Sequence, residues 1–281
     1  MKRLRFGCDL SRLLGVLLLG LMVSLPAGPT WASEEPAAGE DDETSSPTEA
    51  PADDTPDAET ILDRMDRALQ FDTRTARVTM EVVEGRRTRR YEMMTYGRGV
   101  TDAAVEYEAP ARERGTRMLK LGDNLWIYLP RAERVQRISG HMLRQGMMGS
   151  DISYEDMMQA AEFRRQYEAR VLGAEEVDGR KCWKIEATAR DRKVTYPRRL
   201  IWVDQENYVP LRQKLFALSG MQLKTWAMSD VREVDGRSTP HRMKLTDALR
   251  EGSKTTLTLS EIRYGVTFRD EVFTMRWLER R

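Results

Sequence analysis

The sequence predicts a mainly β fold: a meandering antiparallel sheet of many strands, opened by one amphipathic helix and interrupted once by a methionine-rich segment. Three observations carry this expectation. Apolar and polar residues alternate through most of the 281-residue chain, the period-two pattern of half-buried strands. Tight-turn pairs such as Asp178-Gly179, Ser219-Gly220, Asp235-Gly236 and Glu251-Gly252 separate the runs, and connections this short make successive strands antiparallel neighbours. Nothing has the length or periodicity of the helical crossovers that a parallel sheet requires.

The chain opens with Lys2, Arg3, Arg5 and Arg12, then the apolar run Leu13 to Leu25, then Pro26 and small residues ending at Ala32. That order of charged, apolar and cleavage-site regions predicts a cleavable secretory signal over 1–32 and a periplasmic address. The apolar run falls short of the roughly 20 residues that a spanning helix needs. Cys8 lies ahead of the run, whereas a lipid-anchor cysteine would follow it. Cys182 is then the only cysteine of the mature chain, and its strand-like setting, Lys181-Cys182-Trp183-Lys184-Ile185, reads as a buried structural thiol.

Residues 33–59 hold 11 acidic side chains, no basic one and no large apolar one, and are read as a disordered acidic linker. The folded part, 60–281, then carries 42 basic and 33 acidic residues, an excess of nine positive charges that the balanced totals of 46 and 45 conceal. Such asymmetry points to an anionic partner or to arginines that solvate strand faces. Export makes nucleic acid an unsuitable partner and transient contact with anionic lipid a suitable one.

Asp57 to Gln70 places Ile61, Leu62, Met65, Ala68 and Leu69 on one helical face, with Asp57 as cap. Strands follow near 75–84, 87–97, 102–109, 115–121, 124–130, 133–138, 166–178, 181–190, 197–204, 208–219, 221–234, 237–249 and 253–264. A sheet this wide must curl, close or split, because open twisted sheets rarely exceed about ten strands. The interruption, 139–162, holds five of the 16 methionines and glycines at 140, 146 and 149. Ser153 with Asp156 forms a capping-box pattern that starts a short helix. This segment reads either as a movable lid built from Met142, Leu143, Met147, Met148, Met157 and Met158, or as core filling.

No catalytic chemistry is legible. Gly149-Ser150-Asp151 is not a nucleophile elbow, His141 and His241 sit in no recognisable motif, and no phosphate loop or metal-ligand spacing occurs, so neither enzymatic activity nor a cofactor is expected.

The ordered runs Gly115 to Lys120, Leu125 to Pro130, Arg134 to Ile138, Met148 to Asp151 and Tyr154 to Asp156 resemble the outer-membrane lipoprotein-sorting proteins of the LolA-like superfamily. The resemblance implies that 60–281 is a curled antiparallel unclosed barrel, a half-barrel of about 11 strands with a short helical lid. It also implies a non-enzymatic carrier that shields acyl chains of lipoproteins or lipids, with an inner-membrane transporter as a further partner. The alternative, from the basic surface and acidic tether, is an interaction module that docks on an envelope transporter without carrying lipid. Strand alternation nominates Leu119, Leu121, Trp126, Tyr128, Trp183, Ile185, Leu215, Leu223 and Trp226 as walls of the hollow.

Overall fold

The structure is a computed structural model that describes residues 55–280 except 160, 161, 192, 193 and 270. The signal segment and nearly all of the acidic linker lie outside the described residues. Helix α1 (Ala58–Leu69) begins where the sequence places it: the Asp57 carboxylate accepts the Thr60 amide at 2.7 Å, satisfying one of the unpaired first-turn donors. Its apolar stripe, Ile61, Leu62 and Met65, is fully buried.

Six strands follow: β1 (Thr73–Glu84), β2 (Arg87–Arg98), β3 (Asp102–Ala109), β4 (Arg117–Leu121), β5 (Asn124–Leu129) and β6 (Arg134–Ile138). The chain then crosses through the short helices α2 (Tyr154–Met158) and α3 (Phe163–Gln166). Seven more strands follow: β7 (Tyr167–Val177), β8 (Arg180–Ala189), β9 (Arg198–Asp204), β10 (Pro210–Phe216), β11 (Gln222–Val234), β12 (Arg237–Asp247) and β13 (Ser253–Tyr264). A five-residue helix, α4 (Met275–Glu279), ends the described chain.

All 13 strands belong to one antiparallel sheet in the order β6-β5-β4-β3-β2-β1-β13-β12-β11-β10-β9-β8-β7, two more than the half-barrel estimate of about 11. Every consecutive pair of strands is hydrogen-bonded except β6 and β7, and β1 pairs with β13. The sheet is therefore not closed into a barrel, and its open seam lies between the two edge strands, β6 and β7. The turn pairs behave as read: Asp178-Gly179 and Asp235-Gly236 both have positive φ at both residues, the backbone that matches strand twist.

The seam explains the interruption. Residues 139–166 connect one edge of the sheet to the other and touch the strands in spatial order on the way. Met142 meets Gln136 of β6, the Met148 carbonyl accepts from Arg89 and Tyr91 of β2, Asp151 meets Ser253 and Thr255 of β13, and Asp156 meets Lys224 of β11. Arg199 of β9 donates to Gln159, and Asp66 of α1 accepts the amides of Phe163 and Arg164 at 2.9 and 3.0 Å. The connection thus covers one face of the sheet, called inner below; over β7 to β9 that face is covered by α1, which packs on Trp183, Ile185, Ile201 and Val203. The outer face has its own covers. Phe273, Trp277 and Leu278 of the C-terminal segment pack on Ala104, Leu119 and Tyr128.

Candidate functional site

Between the inner face and the connection lies a cavity of about 450 Å³. Its walls follow from strand register. Leu259, Val78 and Met93 face one another across β13, β1 and β2, and Met243 stands opposite Leu257 across β12 and β13. Alternation puts these side chains, with Val105 and Trp226, on the same face, and Met147, Ile152 and Met157 close the space from above. The volume is typical of small-molecule sites.

Two buried carboxylates hold the cover down. Asp151, whose side chain is fully buried, accepts from Ser253 Oγ at 2.6 Å and Thr255 Oγ1 at 2.7 Å, and pairs with Arg250 at 3.3 Å. Arg250 also donates to the carbonyls of Ser150 and Gly149. Further along, Asp156 accepts the Ser153 amide and hydroxyl at 2.7 and 2.8 Å, the capping box read in the sequence, together with Tyr196 Oη at 2.7 Å and Lys224 Nζ. Burial, then the Asp156 charge, raises the Tyr196 hydroxyl far above its usual range. Burial likewise raises the Asp66 carboxyl, against the two amides that it accepts. Gly146 is needed for close approach, not only for freedom: a Cβ there would lie 2.1 Å from the Ser150 carbonyl.

The nominated wall residues divide three ways. Leu215 and Trp226 are on the inner face, where they line a smaller adjoining space of about 180 Å³, and Trp226 also lines the main cavity. Trp183 and Ile185 are on the same face but are sealed under α1. Leu119, Leu121, Trp126 and Tyr128 point to the outer face and pack in the cluster beneath α4. For these four the sequence reading is corrected, while Leu223 sits at the register shift between β10 and β11. β4 and β5 are apolar on both faces, with Met118 and Ile127 inward and Leu119 and Trp126 outward, so alternation alone does not choose between two registers one residue apart.

Of the lid methionines, Met147 and Met157 line the cavity, while Met142, Leu143, Met148 and Met158 pack against the inner core. Of the wall residues missed in the sequence, Met243, Leu257 and Leu259 alternate with polar neighbours in strands that were read, which was the available signal, whereas Met93 is followed by Met94 and carries none.

Ser150 Oγ donates to the Ile152 carbonyl and accepts the Ile152 amide, both at 3.2 Å, while His141 is exposed. Among the described residues no cluster of three His, Cys, Asp or Glu side chains stands ready to hold a metal. Cys182 is fully buried on the outer face against Val177 and Trp202, and burial pushes its thiol up to about 11.

A sheet open at one seam, with a strapped apolar cavity on its inner face, defines a LolA-like protein, the class that the run from Gly115 to Asp156 resembles. The chain belongs to the family whose model, described only as “Uncharacterized protein”, matches residues 99–280. No curated protein matches it. Among solved structures, a DUF1329 family protein from Desulfovibrio piger is 26% identical, with a TM-score of 0.73, over 78% of this chain and 97% of that one. A LolA superfamily protein from Nitrosomonas europaea is 27% identical, with a TM-score of 0.66, over 80% and 100%. A putative outer membrane lipoprotein-sorting protein domain from Vibrio parahaemolyticus shares the fold at 21% identity and a TM-score of 0.71, over 79% and 98%.

Proposed function

We propose that this protein is a non-enzymatic carrier, exported to the periplasm, that shields acyl chains of lipids or lipoproteins in the cavity between its sheet and its lid. The observation that carries the reading is the cavity itself, lined mostly by apolar side chains of the sheet and closed over by Met147, Ile152 and Met157. An acyl chain gains about 0.8 kcal/mol per buried methylene, so it leaves a membrane only for a space of matching apolar area. The likeness to a LolA superfamily structure supports the same reading.

Mature protein extracted with organic solvent should yield co-purifying lipid by mass spectrometry, and the stripped protein should take up a fluorescent fatty acyl probe. Met93→Trp, which fills the cavity, should abolish uptake. Absence of both lipid and uptake would overturn the proposal.

A second reading, docking on a membrane or an envelope transporter, is favoured by one surface feature. Leu218, Met221 and Leu249, 82%, 51% and 64% exposed, sit on two hairpin tips joined by the Ala248 amide to Leu223 carbonyl hydrogen bond. Partner capture that survives Met93→Trp but is lost in a Leu218→Ser/Leu249→Ser variant would favour docking without cargo.

A further inference from the structure

Many of the arginines on the sheet are matched by a carboxylate on a nearby strand or turn: Arg98 by Asp102, Arg117 by Glu106, Arg198 by Glu186. Two cations that line the cavity are not. Among the described residues, neither Arg74 nor Lys120 has a carboxylate within ion-pair distance, although both border the space. The Nε of Arg74 is buried with no hydrogen-bond partner, and its guanidinium lies 4.6 Å over the Phe71 ring. Lys120, only 5% exposed, donates to the Thr101 carbonyl at 2.6 Å. Asp102, the acidic group on the same rim, is already held by Arg98 at 2.7 Å and by the Gly122 amide. Asp156, also at the cavity, is held by Lys224 and Tyr196.

Register shows how the two cations come together. Arg74 pairs with Gly97, Gly97 with Ala103, and Ala103 with Lys120, so the four stand on one rung across β1 to β4. With strands about 4.8 Å apart, the outer two backbones are roughly 14 Å apart, and only a glycine and an alanine stand between two long cationic side chains. Phe71 packs directly on Gly97, where a Cβ would lie 2.7 Å from its ring, and braces Arg74 from that side. Moving along the strands away from this rung, the inward residues pass from Thr95 and Val105 to the apolar Val78 and Met93. The cavity therefore has a cationic end and an apolar end.

A buried cation without a counter-charge is costly, and the cost falls when an anion arrives. We infer that the cavity takes an anionic amphiphile, a single chain ending in a carboxylate or phosphate, with its head between Arg74 and Lys120 and its tail along Val78 and Met93 toward Met147 and Ile152. This rests on the carrier reading and narrows it from acyl chains in general to charged ones. Burial lowers the pKa of both cations, against the Tyr264 hydroxyl at Arg74 and the more distant Asp102 and Asp123 charges at Lys120.

The test uses lipid-stripped protein and Trp226 fluorescence, with palmitate, hexadecyl phosphate and hexadecanol as amphiphiles of equal chain length, and acetate and inorganic phosphate as free anions. Wild type should bind the two charged amphiphiles at least about tenfold more tightly than the alcohol, the effect of one or two charge-assisted hydrogen bonds. Arg74→Gln/Lys120→Gln should bind all three alike, at the affinity of the alcohol, and should melt no lower than wild type when empty. If the double variant does not fold, the palmitate-to-hexadecanol ratio of Lys120→Gln alone decides. Equal binding of the alcohol by wild type, or a preference that survives the substitutions, overturns the inference and leaves the carrier reading standing. Acetate or phosphate competing at the same concentration as the amphiphiles would make this a simple anion site and also overturns it. Wild type binding none of the three amphiphiles removes both readings together.

Discussion

Replacing Asp151 by Ala should loosen the lid. The side chain is fully buried and accepts two hydroxyl hydrogen bonds while pairing with Arg250, which is about one-third exposed. Removing one partner of a buried charged group costs about 3–5 kcal/mol, and each hydrogen bond to a charged group is worth about 1.5–3 kcal/mol. These are not additive, and the exposure of Arg250 discounts its share, so ~3–4 kcal/mol is the expected loss. In a domain of this size, 1 kcal/mol shifts the melting temperature by about 2–4 °C, which gives a drop of roughly 6–16 °C. Asp151→Asn keeps the volume and one acceptor, and should lose about half as much. Urea denaturation measures the stability. Amide hydrogen exchange locates the effect: residues 139–159 should exchange faster, while β7 to β9, which contact α1 and not Asp151, keep their protection. A variant within about 0.5 kcal/mol of wild type with unchanged exchange in 139–159 would refute the latch, because a surface residue would do the same.

Leu119→Ala should cost about 2–5 kcal/mol, because it empties the cluster under α4, yet leave acyl-probe affinity unchanged; a matching loss of affinity in a folded variant would put Leu119 back on the cavity wall. Glu186 accepts from Arg198 at 2.6 Å and Arg170 at 2.7 Å, which holds its carboxyl below the ordinary 4.5. A depressed carboxylate contributes stability above the unfolded pKa that is lost as pH falls through the folded one. Glu186→Gln should therefore flatten the stability curve below about pH 4.5 and leave its shape near neutrality alone, as acid titration followed by circular dichroism would reveal. Cys182, buried and with its thiol raised to about 11, should react with iodoacetamide only as the protein unfolds; rapid native-state alkylation would contradict its placement against Trp202 and Val177. For the same reason a cross-link that pins the lid requires an engineered pair on the inner face.

Local signals determined the elements by themselves. Asp57 and the Ile61, Leu62 and Met65 stripe specify α1, the Asp-Gly pairs specify hairpins, and period-two alternation marks most of the strands, though not β4 and β5; each signal acts through neighbours a few residues away. The capping box at Ser153 and Asp156 was legible for the same reason. What only the tertiary structure decided was which side of each strand faces what. β4 and β5 are apolar on both faces because the lid covers one and α4 the other, and a five-residue helix is too short to announce itself by periodicity. The roles of Asp151, Arg74 and Lys120 were out of reach of local reading too. Asp151 finds its partners about a hundred residues away on β13, and the two cations meet only because register sets Gly97 and Ala103 on the rung between them. A linear pattern sets the period of burial, but the partner that covers each face, and the charges brought to one cavity, come from strand pairing across the whole sheet.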